Sequence, residues 1–290
     1  MYCRFFGFSE RPFEITPNHK FLYPTPGHRK ALGSLLYGIH ERRGLIVLTG
    51  GIGTGKTTLL HAALDRLDSK TRWAFIFNTE LSFLEVLAMI LDEFKLLQPK
   101  KLTKFEALRT LQYFAVRQTA KGGNVVIVVD EAQNLTPKTI ENLRMLSNLE
   151  SHKRKLIQVV LCGQSELDEK LRDPSVQNFA QRISLRRLVK PMDEKDTYKY
   201  IQHRLAVANY KGLIPFTPNA LYLIWKYSDG VPRTINVICD NALLAAYAMQ
   251  QKKINADMVN EIAEDLRLNS SLADIKSRVI KFDRNKKKVS

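Results

Sequence analysis

Eight consecutive residues carry the most specific chemistry in the chain: Gly50-Gly51-Ile52-Gly53-Thr54-Gly55-Lys56-Thr57, a GxxxxGKT pattern with Thr58 directly after it. Glycines at this spacing let the main chain turn tightly, so that successive N–H groups can surround phosphate oxygens. Lys56 has the charge and reach for the β- and γ-phosphates, and the Thr57 hydroxyl suits a Mg2+ ion. A helix starting near Lys56 aims the positive end of its dipole at the same phosphates.

A second constellation is the apolar run Val125–Val129 ending in Asp130 and Glu131. A buried strand ending in two acids puts both carboxylates at the carboxyl edge of a sheet, where open α/β sheets bind ligands. Asp130 suits a Mg2+ contact through water, and Glu131 suits orienting and polarising an attacking water. The chain has no NKxD-like guanine motif, which favours ATP over GTP. A third, more diffuse feature is Gln164, which follows the run Leu156–Cys162. Its amide is placed either to sense a γ-phosphate or to be an ordinary polar strand end.

The elements that must position these groups follow from periodicity. Ala31, Leu32, Leu35, Leu36 and Ile39 have helical spacing within 27–43. Leu45–Thr49, Trp73–Asn78, Val125–Asp130 and Leu156–Cys162 are continuous apolar runs separated by helical sequence. That pattern predicts a parallel sheet covered on both faces, with the more basic Ile183–Val189 as a fifth strand at its edge. The strand at 73–78, between the phosphate loop and the acidic strand, argues against small-molecule kinases and GTPases. After Pro191 only helices are predicted: 193–209, 217–228, 233–250 and 255–267. The expected organisation is an aromatic, Pro-rich strap over 1–27, an α/β core over 28–191, a helical lid over 192–268 and a basic tail over 269–290.

The chain has 290 residues, 44% hydrophobic and 26% charged, which excludes a disordered or fibrous protein. Cys3, Cys162 and Cys239 show no CxxC or Cys/His spacing, so reduced thiols are expected. The longest apolar run near position 125 is five residues, far short of the ~20 a membrane span needs. The amino-terminal sequence has no signal-peptide pattern, and a cytoplasmic protein is expected, at most peripheral to the inner membrane. The formal net charge is +16, of which residues 276–288 supply six units from seven basic side chains and one acid. The remainder is still a basic body that attracts nucleic acid or anionic lipid.

FFGFSERPFEITPNHKFLYPTPGHRKAL, GGIGTGKTT, VVDEAQNLTPKTIENLRMLSNLE, VVLCGQSELDEKL, QRISLRRLVKPM and GVPRTINVICDNAL together resemble the AAA+ ATPases of the ExeA/GspA type, found in bacterial secretion and pilus assembly. The resemblance covers about residues 1–267. It implies a P-loop α/β core with strand order 5-1-4-3-2, a small all-α lid, and a homo-oligomeric ring or filament with Mg-ATP bound between neighbours. On that pattern Arg182 is the arginine finger, with Arg186 and Arg187 as competitors; Arg233 is the lid's second sensor, also touching nucleotide, and Gln164 the first sensor. Longer members continue into a membrane span and a cell-wall-binding region; this chain resembles the short, stand-alone members such as pilus-biogenesis ATPases. The loop Ser151–Lys155 is more basic than the family leads one to expect. In a ring it would face the channel, making Lys153, Arg154 and Lys155 candidate DNA contacts.

Three functions compete: an ATPase driving secretion or pilus assembly with its partner proteins, an ATP-dependent DNA-binding regulator working with duplex DNA and a transposase, and a slowly hydrolysing nucleotide-gated scaffold. The whole-chain resemblance favours the first. The basic body, the 152–155 loop and Lys100-Lys101 favour the second, and Glu131 with a candidate finger argues against the third.

Overall fold

The computed structural model describes residues 1–16, 18–77, 81–96, 102–151 and 154–268. The chain divides into two compact units, one of residues 26–190 and one joining residues 1–25 to those from Pro191 onward.

The first unit is built on five strands: β1 Leu45–Gly50, β2 Thr71–Ile76, β3 Asn124–Val129, β4 Gln158–Gly163 and β5 Ile183–Val189. Their order is β2-β3-β4-β1-β5 and every pair is parallel. This is the order 5-1-4-3-2 that the resemblance implied. β1, β3 and β4 are buried along their whole length because their alternate residues feed two cores. Leu45, Val47, Ile127, Val129, Val159 and Leu161 pack with helices Phe83–Glu93, Lys104–Ala120 and Pro137–Ser147. Ile46, Leu48, Val126, Val128, Val160 and Cys162 pack with helices Pro26–His40 and Lys56–Leu64 on the other face. Covered on both sides, the central strands have no polar alternation to show, which is why they read as continuous apolar runs.

Several boundaries differ from the sequence reading. Helix Pro26–His40 stops short of Arg43 because Arg42 and Gly44 take left-handed conformations, φ 52° and 80°. Strand β2 runs 71–76 rather than 73–78, leaving Phe77 exposed, and Asn78 lies outside the described residues. Strand β4 begins at Gln158 instead of Leu156. The preceding Arg154–Lys155 turns back to pair antiparallel with Glu150–Ser151.

In the second unit, helices Glu194–Val207, Pro218–Ser228, Pro232–Ala248 and Ala256–Asp265 follow one another. Asp193, Thr217 and Asn255 cap three of them, accepting from the N–H groups of Asp196, Ala220 and Met258. The amino-terminal aromatics complete this core: Tyr2, Phe6, Phe8 and Phe13 are buried with Ile201, Leu223, Ile238 and Leu243. Arg204, itself buried, donates to the carbonyls of Pro12 and Glu14 and to the Tyr200 hydroxyl. Its guanidinium lies 4.6 Å from the Phe21 ring centre and 6.0 Å from that of Phe13. Among the described residues no helix is long and apolar enough to cross a membrane.

Candidate active site

Because all five strands run the same way, the turns after β1, β3 and β4 emerge at one edge of the sheet. The first is the Gly50–Thr57 loop, leading into helix Lys56–Leu64. Glycine is required at Gly55, whose φ is 91°, and at Gly50, where a Cβ would lie 2.5 Å from the Val189 carbonyl oxygen. The loop is braced internally, Thr54 Oγ1 donating to the Gly51 carbonyl at 2.8 Å. From helix Pro26–His40 the buried His28 reaches the Thr54 carbonyl oxygen at 3.1 Å. A carbonyl only accepts, so His28 carries its proton on Nε2. Lys56 is buried, and its ammonium donates to the carbonyls of Gly50 and Gly51, each at 3.0 Å. Ile52 is exposed, Gly51, Gly53 and Thr58 are half-buried, and Thr58 belongs to the helix.

The turn after β3 brings the carboxylates to this loop. Asp130 continues the ladder through its N–H to the Ile76 carbonyl, and its Oδ2 accepts from the Thr57 hydroxyl at 2.7 Å. The chain then bends sharply. Glu131 takes φ 50°, a left-handed conformation costing about 1 kcal/mol, with its N–H on Asp130 Oδ1 at 3.0 Å. Glu131 Oε2 accepts from Gln133 Nε2 at 2.6 Å and from Gln164 Nε2 at 3.2 Å. Beneath them Cys162 hydrogen-bonds Asp130; burial pushes its thiol well above the ordinary range, and the negative charge of Asp130 pushes it further. Lys56, Thr57, Asp130, Glu131 and Gln164, from three separate turns, thus meet at one place.

The oxygen donors fit a magnesium ion. A hydroxyl and a carboxylate in contact are hard ligands of the kind that bind Mg2+ together with substrate phosphates. Among the described residues no group of three or more His, Cys, Asp or Glu side chains gathers to hold a metal alone. Phosphates and water must complete such a shell.

The other sequence candidates lie elsewhere. Arg182 precedes β5, whose first residue pairs with Leu45 at the start of β1. It is therefore separated from its own loop by the length of β1, about 17 Å at ~3.3 Å per residue. Its guanidinium is exposed and donates to Asn148 Oδ1. Arg186 pairs with Asp168 at 2.8 Å, and Arg187 donates to Ser34 Oγ at 2.8 Å. Arg154 and Lys155 sit in the ribbon before β4, Lys155 paired with Glu150, while Lys153, like Lys100 and Lys101, lies outside the described residues. Arg233 belongs to the other unit, exposed in the first turn of helix Pro232–Ala248.

Residues 39–171 match the family described as AAA domain. Over 254 residues the chain is 43% identical to general secretion pathway protein A of Aeromonas hydrophila, a match covering 88% of this chain and 46% of that protein. The chain belongs to the ExeA/GspA family of AAA+ ATPases. It spans less than half the length of that relative. Among solved structures it resembles Cdc6p of Pyrobaculum aerophilum, at TM-score 0.65 and 18% identity over 91% of this chain and 70% of that one. It also resembles the ORC2 protein of Aeropyrum pernix in its ADPNP–ADP complexes, at TM-score 0.64 and 19% identity over 88% and 71%. At these identities the likeness is one of fold.

In this AAA+ chain the sequence reading missed two residues of the site. Gln133 stands in the DEAQ run, and its position two residues after Glu131 was the available signal. His28, 26 residues before the carbonyl it meets, had no local signal.

Proposed function

We propose that the chain binds Mg-ATP at this edge and hydrolyses it between subunits of a ring or filament, driving a secretion- or pilus-type assembly. The observation that carries the reading is the 2.7 Å bond between Thr57 of the glycine loop and Asp130 of the acidic strand end, with Glu131 next in the chain. Thr57 and Asp130 would hold the magnesium ion, which when bound neutralises charge on the phosphates. Lys56 exchanges the Gly50 and Gly51 carbonyls for phosphate oxygens, and the helix it starts points its positive end the same way. Glu131 orients and polarises the attacking water, and Gln164 sits where it can sense the γ-phosphate. Arg182, remote from its own chain's loop, fits a finger offered to a neighbouring subunit; Arg186, in an ion pair with Asp168, and Arg187 are its competitors. Arg233 serves as the second sensor on the nucleotide. The secretion role draws on the identity to general secretion pathway protein A.

The test is Glu131→Gln. It should keep ATP affinity while lowering turnover about 100-fold, the contribution of a group that activates a nucleophile. Equal loss of affinity in Glu131→Gln and Lys56→Ala removes the roles given to both residues.

Duplex DNA is the second reading, favoured by the net charge of +16. It is weakened at the ribbon, where Lys155 is already paired with Glu150.

A further inference from the structure

Gln133 has no part in the mechanism above, yet its amide joins two of the three turns at the site. Nε2 donates to Glu131 Oε2 at 2.6 Å, and Oε1 accepts from the main-chain N–H of Gln164 at 3.0 Å. A carboxylate only accepts and a main-chain N–H only donates, so neither end of the amide can be exchanged without losing both bonds. The contact depends on Gly163, where a Cβ would come within 2.9 Å of Gln133 Oε1. Lys170 holds the turn that carries Gln133, donating to the Gln133 carbonyl and, at 2.8 Å, to that of Leu135. The amide of Gln164 reaches the same Glu131 oxygen by a longer bond of 3.2 Å.

We propose that Gln133 is a positioning residue that sets the Glu131 carboxylate and ties it to the end of β4. The inference rests on the ATPase reading and concerns the control of that site. When the Gln164 side chain turns to a γ-phosphate it gives up its bond to Glu131, whereas Gln133 keeps the shorter one. The main-chain N–H of Gln164 then passes any shift of the β4 end to Gln133, and through it to the carboxylate. Hydrolysis is thereby linked to what the β4 end meets, by one neutral amide.

A merely structural Gln133 would tie its turn to β4 and nothing more, and two substitutions separate the cases. Gln133→Glu keeps an acceptor for the Gln164 N–H but faces Glu131 with a second carboxylate oxygen. Gln133→Leu removes both bonds. ATP turnover and binding of a fluorescent ATP analogue are measured on the full chain, with wild type and Glu131→Gln alongside. The expected result is a fall in kcat of about 10- to 100-fold in both variants, the usual worth of a hydrogen bond to a charged group, with nucleotide affinity within about 2-fold of wild type. Glu131→Gln/Gln133→Glu should turn over no more slowly than Glu131→Gln, because Gln133 acts through Glu131. Wild-type turnover in Gln133→Glu with loss in Gln133→Leu overturns the proposal and leaves a structural tie; so does a parallel loss of nucleotide affinity. If the wild-type chain hydrolyses ATP no faster than Glu131→Gln, the ATPase reading itself fails, and the inference with it.

Discussion

Two buried cations, one in each unit, make an informative pair. Lys56 is 6% exposed and Arg204 5%, and both give their protons to main-chain carbonyls. The physics of burial is the same: a cation withdrawn from water needs oxygen partners. The settings differ. The carbonyls that receive Lys56 belong to Gly50 and Gly51 of a glycine-rich loop at a sheet edge, next to Thr57 and Asp130. Arg204 is enclosed by the rings of Phe13, Phe21 and Tyr200, and the carbonyls it holds belong to the amino-terminal strap. Lys56 has partners that phosphate oxygens can replace; Arg204 has partners within the packed strap, the Pro12 carbonyl among them buried. On the proposed reading one cation is kept for a ligand, and the other closes a fold.

Substitution at the two positions should therefore fail in opposite ways. Lys56→Ala should abolish ATP binding in equilibrium titrations while leaving thermal stability near wild type, because the turn is also held by its glycines and by the Thr54–Gly51 and His28–Thr54 bonds. A large fall in its melting temperature would place Lys56 with Arg204 and break the distinction. Arg182, exposed and at the other end of its strand, is a third kind of cation, with its proposed partner in another subunit. Arg182→Ala should bind ATP normally and lose about 10³-fold in turnover, the lower range for such fingers. Mixing it with Glu131→Gln should restore part of the rate at interfaces that combine an intact Arg182 with an intact Glu131. No recovery, with assembly verified, assigns Arg182 a role within its own chain.

Arg204→Met should cost about 3 kcal/mol in chemical denaturation, since it takes the charged donor from the buried Pro12 carbonyl and from the Tyr200 hydroxyl. Nucleotide affinity should not change. A loss below ~1 kcal/mol would mean that the strap is held by its aromatics alone. The smallest effect concerns the basic residues at the carboxy-terminal end of the sequence. Removing residues 271–290 should abolish most DNA affinity at low salt and flatten its log–log salt dependence by about 0.9 for each phosphate no longer neutralised. Affinity that survives the deletion and requires ATP would instead favour the DNA reading.

Much of the site was legible because its chemistry is local. GxxxxGKT needs no distant residue to define its turn, and Asp130-Glu131 is marked by the apolar run before it. Boundaries were less legible where neighbours compete for the backbone. Leu156 and Ile157 are as apolar as β4 itself, yet the antiparallel pairing of Arg154–Lys155 with Glu150–Ser151 delays the strand to Gln158. The strand order came from resemblance, since spacing alone says nothing about which strands become neighbours.

Taken by itself, the sequence determined the glycine-rich turn after β1, the acidic end of β3 and the change from α/β to all-helical character after Pro191. Each is written in the order and period of adjacent side chains, which local main-chain geometry converts into structure. Only the tertiary structure decided that Gln133 bridges Glu131 to β4, that His28 supports the loop from 26 residues upstream, and that Arg204 binds a strap some 190 residues away. Those contacts depend on where strands and helices come to rest beside one another. A hydrogen bond between distant residues leaves no period in the chain, because its geometry does not exist until the layers have packed.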